Sequence, residues 1–202
     1  MMGAGADTSI GQVTSALLAP SRLFSVHELL NRPSPVPRAP GIYAWYFDEV
    51  PASIPTAGLH SVHGLNLLYT GISPKRPRSA DGRASKGTLH SRIRFHLRGN
   101  ASQSTLRTSL GALLRDKLDI ALQRTGPSKR LTYGSGESVL TDWLKDHAYV
   151  CWAVCQEPWE VESQLIATIP LRLNLDQNKN DEFHTFLTRA RADQRASARS
   201  VT

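Results

Sequence analysis

The chain has 202 residues, enough for one ordinary domain and too few for two full-sized ones with a linker. With 40% hydrophobic and 20% charged residues it can bury a core, which excludes global disorder and fibrous architecture. Its longest apolar runs, such as residues 149–155, fall far short of the roughly 20 residues that span a bilayer, so no membrane role is expected. No basic region precedes the N-terminal Ala-Leu-Leu-Ala run, and the cytoplasm is the expected compartment.

The net charge of +7 points to a polyanionic partner, and its distribution is sharper than its size. Between Lys75 and Arg98 there are eight basic residues against Asp81 alone, so this segment carries the whole net charge. The bland alternative is a loop kept soluble by like charge.

In chain order, residues 1–38 read as an N-terminal extension with one short helix near Ser21 to Asn31, capped by Ser21 or Ser25 and stopped by Pro33. Pro33, Pro35, Pro37 and Pro40 make an extended lead-in. Gly41 to Phe47 is β-branched and aromatic, a strand; Leu65 to Ile72 is a second, and the Pro- and Gly-containing loop between them predicts an antiparallel pair. Thr88 to Arg98 predicts a helix, with Thr88 as cap, Leu89, Ile93 and Leu97 on one face and Gly99 at the end. A second helical pattern opens at Ser104 or Thr105 and runs through Leu106, Leu110, Leu113, Leu114, Leu118 and Leu122 towards Gly126-Pro127. A short helix follows around Ser138 to Asp146, then a third strand from Ala148 to Cys155.

Cys151 and Cys155 lie four apart on that strand, where a rise of about 3.3 Å per residue separates them by roughly 13 Å. No disulfide closes that gap, and they read as small buried hydrophobes. Glu157-Pro158-Trp159-Glu160 begins another helix, stopped by Pro170; residues 171–180 are extended and Asn-rich, and Asp181 to about Arg199 predicts a final basic helix. The sum is an α+β fold: a small, mainly antiparallel three-stranded sheet flanked by helices. It divides into the extension at 1–38, a domain at 39–180 with a helical insertion at about 100–146, and a basic C-terminal helix at 181–202.

Gly41-Ile42-Tyr43 on one strand, Tyr69-Thr70-Gly71 on the next, Arg92 on a helix and Glu162 on a later helix are individually ordinary. Strand tyrosines are more often packing residues, Arg92 sits among other cations, and Glu162 could merely complement a helix N-terminus. In this order, however, the sequence resembles the GIY-YIG nuclease superfamily. Thr70 replaces the usual aliphatic residue, at a position that points away from the face shared by its neighbours. The resemblance implies that Tyr43 and Tyr69 border the site, one orienting or deprotonating the attacking water. It implies that Arg92 is the catalytic arginine, with His96 one helical turn on, and that Glu162 holds a single divalent metal, Mg²⁺ or Mn²⁺. Asn174 matches the asparagine after the glutamate helix, with Asn178 as competitor. The resemblance covers about 41–178, interrupted by the insertion.

The chemistry agrees with those roles. Phosphodiester hydrolysis needs a nucleophilic water, stabilisation of charge developing on phosphorus, and a Lewis acid at the leaving oxygen. Arg92 offers a permanent guanidinium fork, His96 a proton relay beside it, and Glu162 a hard oxygen ligand of the kind Mg²⁺ accepts singly. The expectation is a metal-dependent endonuclease acting on DNA, with RNA as the other polynucleotide open to it. Lys75, Arg76, Arg78, Arg83, Lys86, Arg94, Arg98 and Asn174 would bind the nucleic acid. The alternative is a nucleic-acid-binding module on the same fold that does not cleave. Two further features lie outside the motif: His60-x-x-His63, which lacks partner ligands, and Arg191, Arg195 and Arg199, which share a face of the terminal helix and could grip a phosphate backbone or form a frayed tail.

Overall fold

The computed structural model describes residues 9–77, 79 and 86–201. Ile10–Leu18 forms α1, which the sequence reading does not anticipate. A capping box between Ser9 and Gln12 starts it, and Val13 and Leu17, one turn apart, bury its inner face. The helix expected near Ser21 to Asn31 is shorter: Phe24–Ser25 is a two-residue strand, β1, and Val26–Leu30 is α2. Ser25 rather than Ser21 caps it, accepting from the Glu28 N–H while the Glu28 carboxylate accepts from the Ser25 N–H at 2.8 Å.

Gly41–Phe47 is β2, Ser61–Val62 is β3 and Leu65–Ser73 is β4. Leu89–Arg98 is α3, capped by Thr88. The long helix expected from Ser104 is broken into Thr105–Leu113 (α4) and Arg115–Leu118 (α5). Asp119 then turns left-handed, at φ 49°. The apolar period survives the break, because Leu114, Leu118, Ile120 and Leu122 still face the core, but a period alone does not report where the backbone leaves the helix. Gly126-Pro127 is the turn of a hairpin between Gln123–Thr125 (β5) and Arg130–Thr132 (β6). Gly136–His147 (α6), Ala148–Val154 (β7), Pro158–Thr168 (α7) and His184–Ala196 (α8) follow. The last helix therefore stops short of Arg199, and Arg199–Val201 is β8, paired parallel with β5.

The fold is α+β, with a larger sheet than the three strands expected. Five antiparallel strands lie in the order β1-β7-β2-β4-β3, and β6-β5-β8 make a separate small sheet. The extra strands are two or three residues long, too short to carry an alternation signal. Central β2 is buried at all seven positions, which explains its unbroken apolar run. Tyr43, Trp45 and Phe47 face a core shared with α2, α3, α4 and α6, whereas Ile42, Ala44 and Tyr46 face α1 and α7. Cys151 is buried and Cys155 half-buried, both free. Among the described residues no helix is long and apolar enough to cross a membrane.

Candidate active site

A bulge sets the phase of the second tyrosine. Trp45 of β2 pairs with Tyr69 and Tyr46 with Leu67, so Leu68 is an extra residue on β4. Leu67 belongs to the α1/α7 face, while Leu68 and Tyr69 both join the opposite one. Tyr69 thereby shares a face with Tyr43, their ring centroids 6.5 Å apart. Gly71 stands opposite Tyr43, and a Cβ there would lie 2.3 Å from the Tyr43 hydroxyl. Only glycine leaves room for the phenol.

Each phenol is held from behind by the start of α4. Tyr43 Oη shares a 2.7 Å hydrogen bond with His96 Nε2, and His96 Nδ1 shares another of 2.7 Å with Ser104 Oγ. Ser104 is the N-cap of α4, and its Oγ also accepts from the Arg107 N–H at 3.1 Å. Next along the chain, Thr105 Oγ1 shares a 3.1 Å hydrogen bond with Tyr69 Oη. Burial pushes the Tyr43 hydroxyl well above the ordinary phenol range, with Tyr69 adding to the rise and Arg92 opposing it. Tyr69 is likewise raised by burial, against Thr105 and Arg92. His96 is driven well below its ordinary value by burial and then by the charges of Arg92 and Arg107. The ring is therefore neutral at pH 7.

Both tyrosines border a cleft of about 450 Å³ that Arg92, Glu162, Asp176 and Lys75 also line. The Thr88 capping box fixes the start of α3, and Arg92 follows one turn later. Pro158 at the first turn of α7 fixes the entry of the helix that carries Glu162. The Glu162 carboxyl is pushed up to about 7, first by burial and then by Asp176, against Lys75 and Arg92.

Two tyrosines from adjacent strands, an arginine and a glutamate from separate helices thus meet at one concavity. A model of the GIY-YIG catalytic domain matches residues 41–193, about three quarters of the chain. The chain belongs to the GIY-YIG family. Comparison with curated proteins and with solved structures finds no match.

In this GIY-YIG domain the match runs through residues 100–146, read from the sequence as an insertion, and into α8, the two parts that supply Thr105 and Arg191 to the cleft. His96 does not line the cleft; it stands behind the two tyrosines, hydrogen-bonded to Tyr43 and edge-on to Tyr69 with ring centroids 5.7 Å apart. Asn174, expected to touch nucleic acid, lines the cleft but spends its amide on β4: Oδ1 accepts from the Thr70 N–H and Nδ2 donates to the Thr70 carbonyl. Asn178 in turn donates to the carbonyls of Leu171 and Asn174. Of the expected nucleic-acid ligands, Lys75 and Arg76 line the cleft and are exposed, Arg76 also approaching Glu160 at 3.5 Å. Lys86, Arg94 and Arg98 are exposed and away from it. Arg78 and Arg83 lie outside the described residues. His60 shares a 2.7 Å hydrogen bond with the Leu18 carbonyl and so secures α1.

Ser104, Thr105 and Asp176 are the residues that sequence reasoning misses; Arg191 is anticipated only as one of three basic residues of the terminal helix, of which it alone is buried and lines the cleft. Ser104 is visible as a cap, but nothing in the local sequence says that the same hydroxyl meets His96. No group of three or more His, Cys, Asp and Glu occurs among the described residues. Glu162 with Asp176 nevertheless suits a hard divalent cation, which takes one or two carboxylates and completes its shell with water and phosphate. Two carboxylates close enough for one to raise the other mark a place where positive charge is favourable.

Proposed function

We propose that the protein is a metal-dependent endonuclease that hydrolyses phosphodiester bonds in DNA, using Mg²⁺ or Mn²⁺. The observation that carries this reading is the convergence of Tyr43, Tyr69, Arg92 and Glu162 on one cleft, joined to membership of a nuclease-type family.

Both phenols stay protonated at neutral pH, so neither serves as a ready phenolate base. Tyr43 instead passes a proton. Its oxygen accepts one from the attacking water while its own moves to His96 Nε2, 2.7 Å away. Phosphate bound against Arg92 lessens the positive field that, after burial, keeps His96 neutral. Tyr69, steadied by Thr105, orients the water from the other side. Arg92 meets the charge developing on the nonbridging oxygens. Glu162, with Asp176 beside it, would hold the cation, which supplies Lewis acidity at the leaving oxygen. The phosphorus–oxygen bond to the new hydroxyl forms as the bond to the leaving sugar oxygen breaks.

The test uses purified protein, Mg²⁺ or Mn²⁺, and end-labelled single-stranded DNA, duplex DNA and RNA. The expected result is internal cleavage of DNA, abolished by Arg92→Ala and Glu162→Ala while binding is largely kept. Binding without cleavage in either metal identifies a non-cleaving nucleic-acid-binding module, and cleavage confined to RNA changes the substrate.

A further inference from the structure

Three arginines are buried among the described residues: Arg107, Arg172 and Arg191. Arg107 is answered by Glu137 at 2.7 Å and by the His96 and Glu137 carbonyls. Arg172 is answered by Asp181 at 2.9 Å and Glu182 at 2.8 Å. Arg191, only 8% exposed, has no ion pair among the described residues, and its buried Nε has no hydrogen-bond partner. Among the described residues its side chain makes one hydrogen bond, from Nη1 to Ser109 Oγ at 3.3 Å. It lines the cleft that holds the two tyrosines.

An unpaired buried guanidinium destabilises a fold, and a Met or Leu would fill the same space at lower cost. Packing does not require the charge. Leu187 and Gln194 already seat α8, Gln194 accepting from Tyr133 Oη and donating to the Thr108 carbonyl, each at 3.0 Å. An arginine kept unpaired at the wall of a polyanion site is suited to an anion that arrives from solution.

Its neighbours indicate which anion. Arg92, on α3, lines the cleft together with Tyr43, Tyr69 and Glu162. Arg191 reaches Ser109 on α4, one turn beyond Thr105, whose Oγ1 meets Tyr69 Oη, which puts it on the Tyr69 side. We propose that Arg191 binds the substrate phosphate next to the scissile one, so that a polynucleotide strand is gripped at two consecutive phosphates, by Arg92 and by a residue of the C-terminal helix. This inference rests on the nuclease reading. It implies that the enzyme prefers a strand that continues past the cut on the Tyr69 side.

The test compares Arg191→Met with Arg189→Met, which removes the same charge from the exposed face of α8, where Arg189 is 85% exposed. Binding of a fluorescent DNA oligonucleotide is titrated without divalent cation across a salt series, steady-state cleavage is measured with Mg²⁺, and thermal unfolding is followed in parallel. For Arg191→Met the affinity should fall about tenfold or more, and the logarithmic salt slope should become shallower by about one. KM should rise with kcat close to wild type. The unfolding temperature should hold or increase, an outcome that a merely structural arginine would not give. Arg191→Lys should recover part of the affinity. Unchanged affinity and slope overturn the proposal, as does a weakening that Arg189→Met reproduces. Should Arg191→Met fail to fold, Arg191→Gln supplies the same readout; failure of both shows that the residue is structural and overturns the proposal too. A wild-type protein that binds but never cuts refutes the nuclease reading alone, whereas one that cuts while Arg191→Met keeps its KM refutes this inference alone.

Discussion

Asn174 grips Thr70 at both of its backbone groups, its Oδ1 accepting from the N–H at 3.0 Å and its Nδ2 donating to the carbonyl at 2.9 Å. β3 covers the outer edge of β4 only at Leu65 and Asn66, so this amide, together with the Leu173 N–H donated to the Leu68 carbonyl at 3.0 Å, does the work of a further strand.

Asn174→Ala would strand a buried donor and a buried acceptor beside Tyr69. The expected cost is about 3 kcal/mol, a fall of about 8 °C in Tm for a chain of this size. Native-state hydrogen exchange should show the Thr70 amide losing protection ahead of its β2 neighbours. Protection left intact would refute the clamp.

Gly71→Ala places a methyl group where the Tyr43 hydroxyl lies. The phenol must move and leave His96. Misplacement by about 1 Å costs about a hundredfold in rate, so cleavage should drop by that order while KM changes little. Circular dichroism and single-turnover kinetics would separate this from unfolding.

Ser104 and Thr88 both cap helices, but only Ser104 also meets His96. Each alanine variant should lose about 1 kcal/mol of stability from the cap. Ser104→Ala should additionally lose cleavage activity, because His96 is left without its second partner; Thr88→Ala should lose far less. Equal activity in the two variants would show that the Tyr43–His96–Ser104 chain carries no proton traffic.

Glu162 has a folded pKa of about 7, above its ordinary 4.5. The neutral form is the one the folded protein favours, so its contribution to stability is complete below about 4.5, drains away as the pH rises towards 7 and is gone above that. Without divalent cation, the Tm of the wild type should fall between about pH 5 and pH 8 more than that of Glu162→Gln. Cation affinity should rise over the same window, since the ionised carboxylate is the proposed ligand. Parallel pH profiles for the two proteins would contradict this assignment.

How much of this was legible in the sequence depends on the distance over which each signal acts. β2 and α3 are read to the residue, because an unbroken aromatic run and a Thr88 cap with four-residue apolar spacing are local signals. The four motif residues could be placed on the correct elements for the same reason. The break at Asp119 was not legible: a side chain reaches the same core from a helix or from extended chain, and Leu118 at the end of α5 and Leu122 just before β5 keep their period across it. The roles of Ser104 and Thr105 are tertiary, arising only when α4 closes over the tyrosines, and so is the burial that sets Arg191 apart from the exposed Arg195 on the same helix. His96 shows the remaining limit. Its spacing from Arg92 places it one turn on, but burial decides that it stands behind Tyr43 and outside the cleft.

The additional residue at Leu68 gives β4 two reading frames. Before it, Leu65 and Leu67 serve the apolar layer under α1 and α7; after it, Tyr69 and Gly71 line the cleft on the reverse side. A strand in strict alternation would have to send all four the same way, and either the scaffold or the phenol would be misdirected. Changes to the first half can therefore tune how firmly the layer is anchored without rotating the tyrosine. Removing the kink itself would make the anchoring leucines and the cleft-lining phenol compete for one direction.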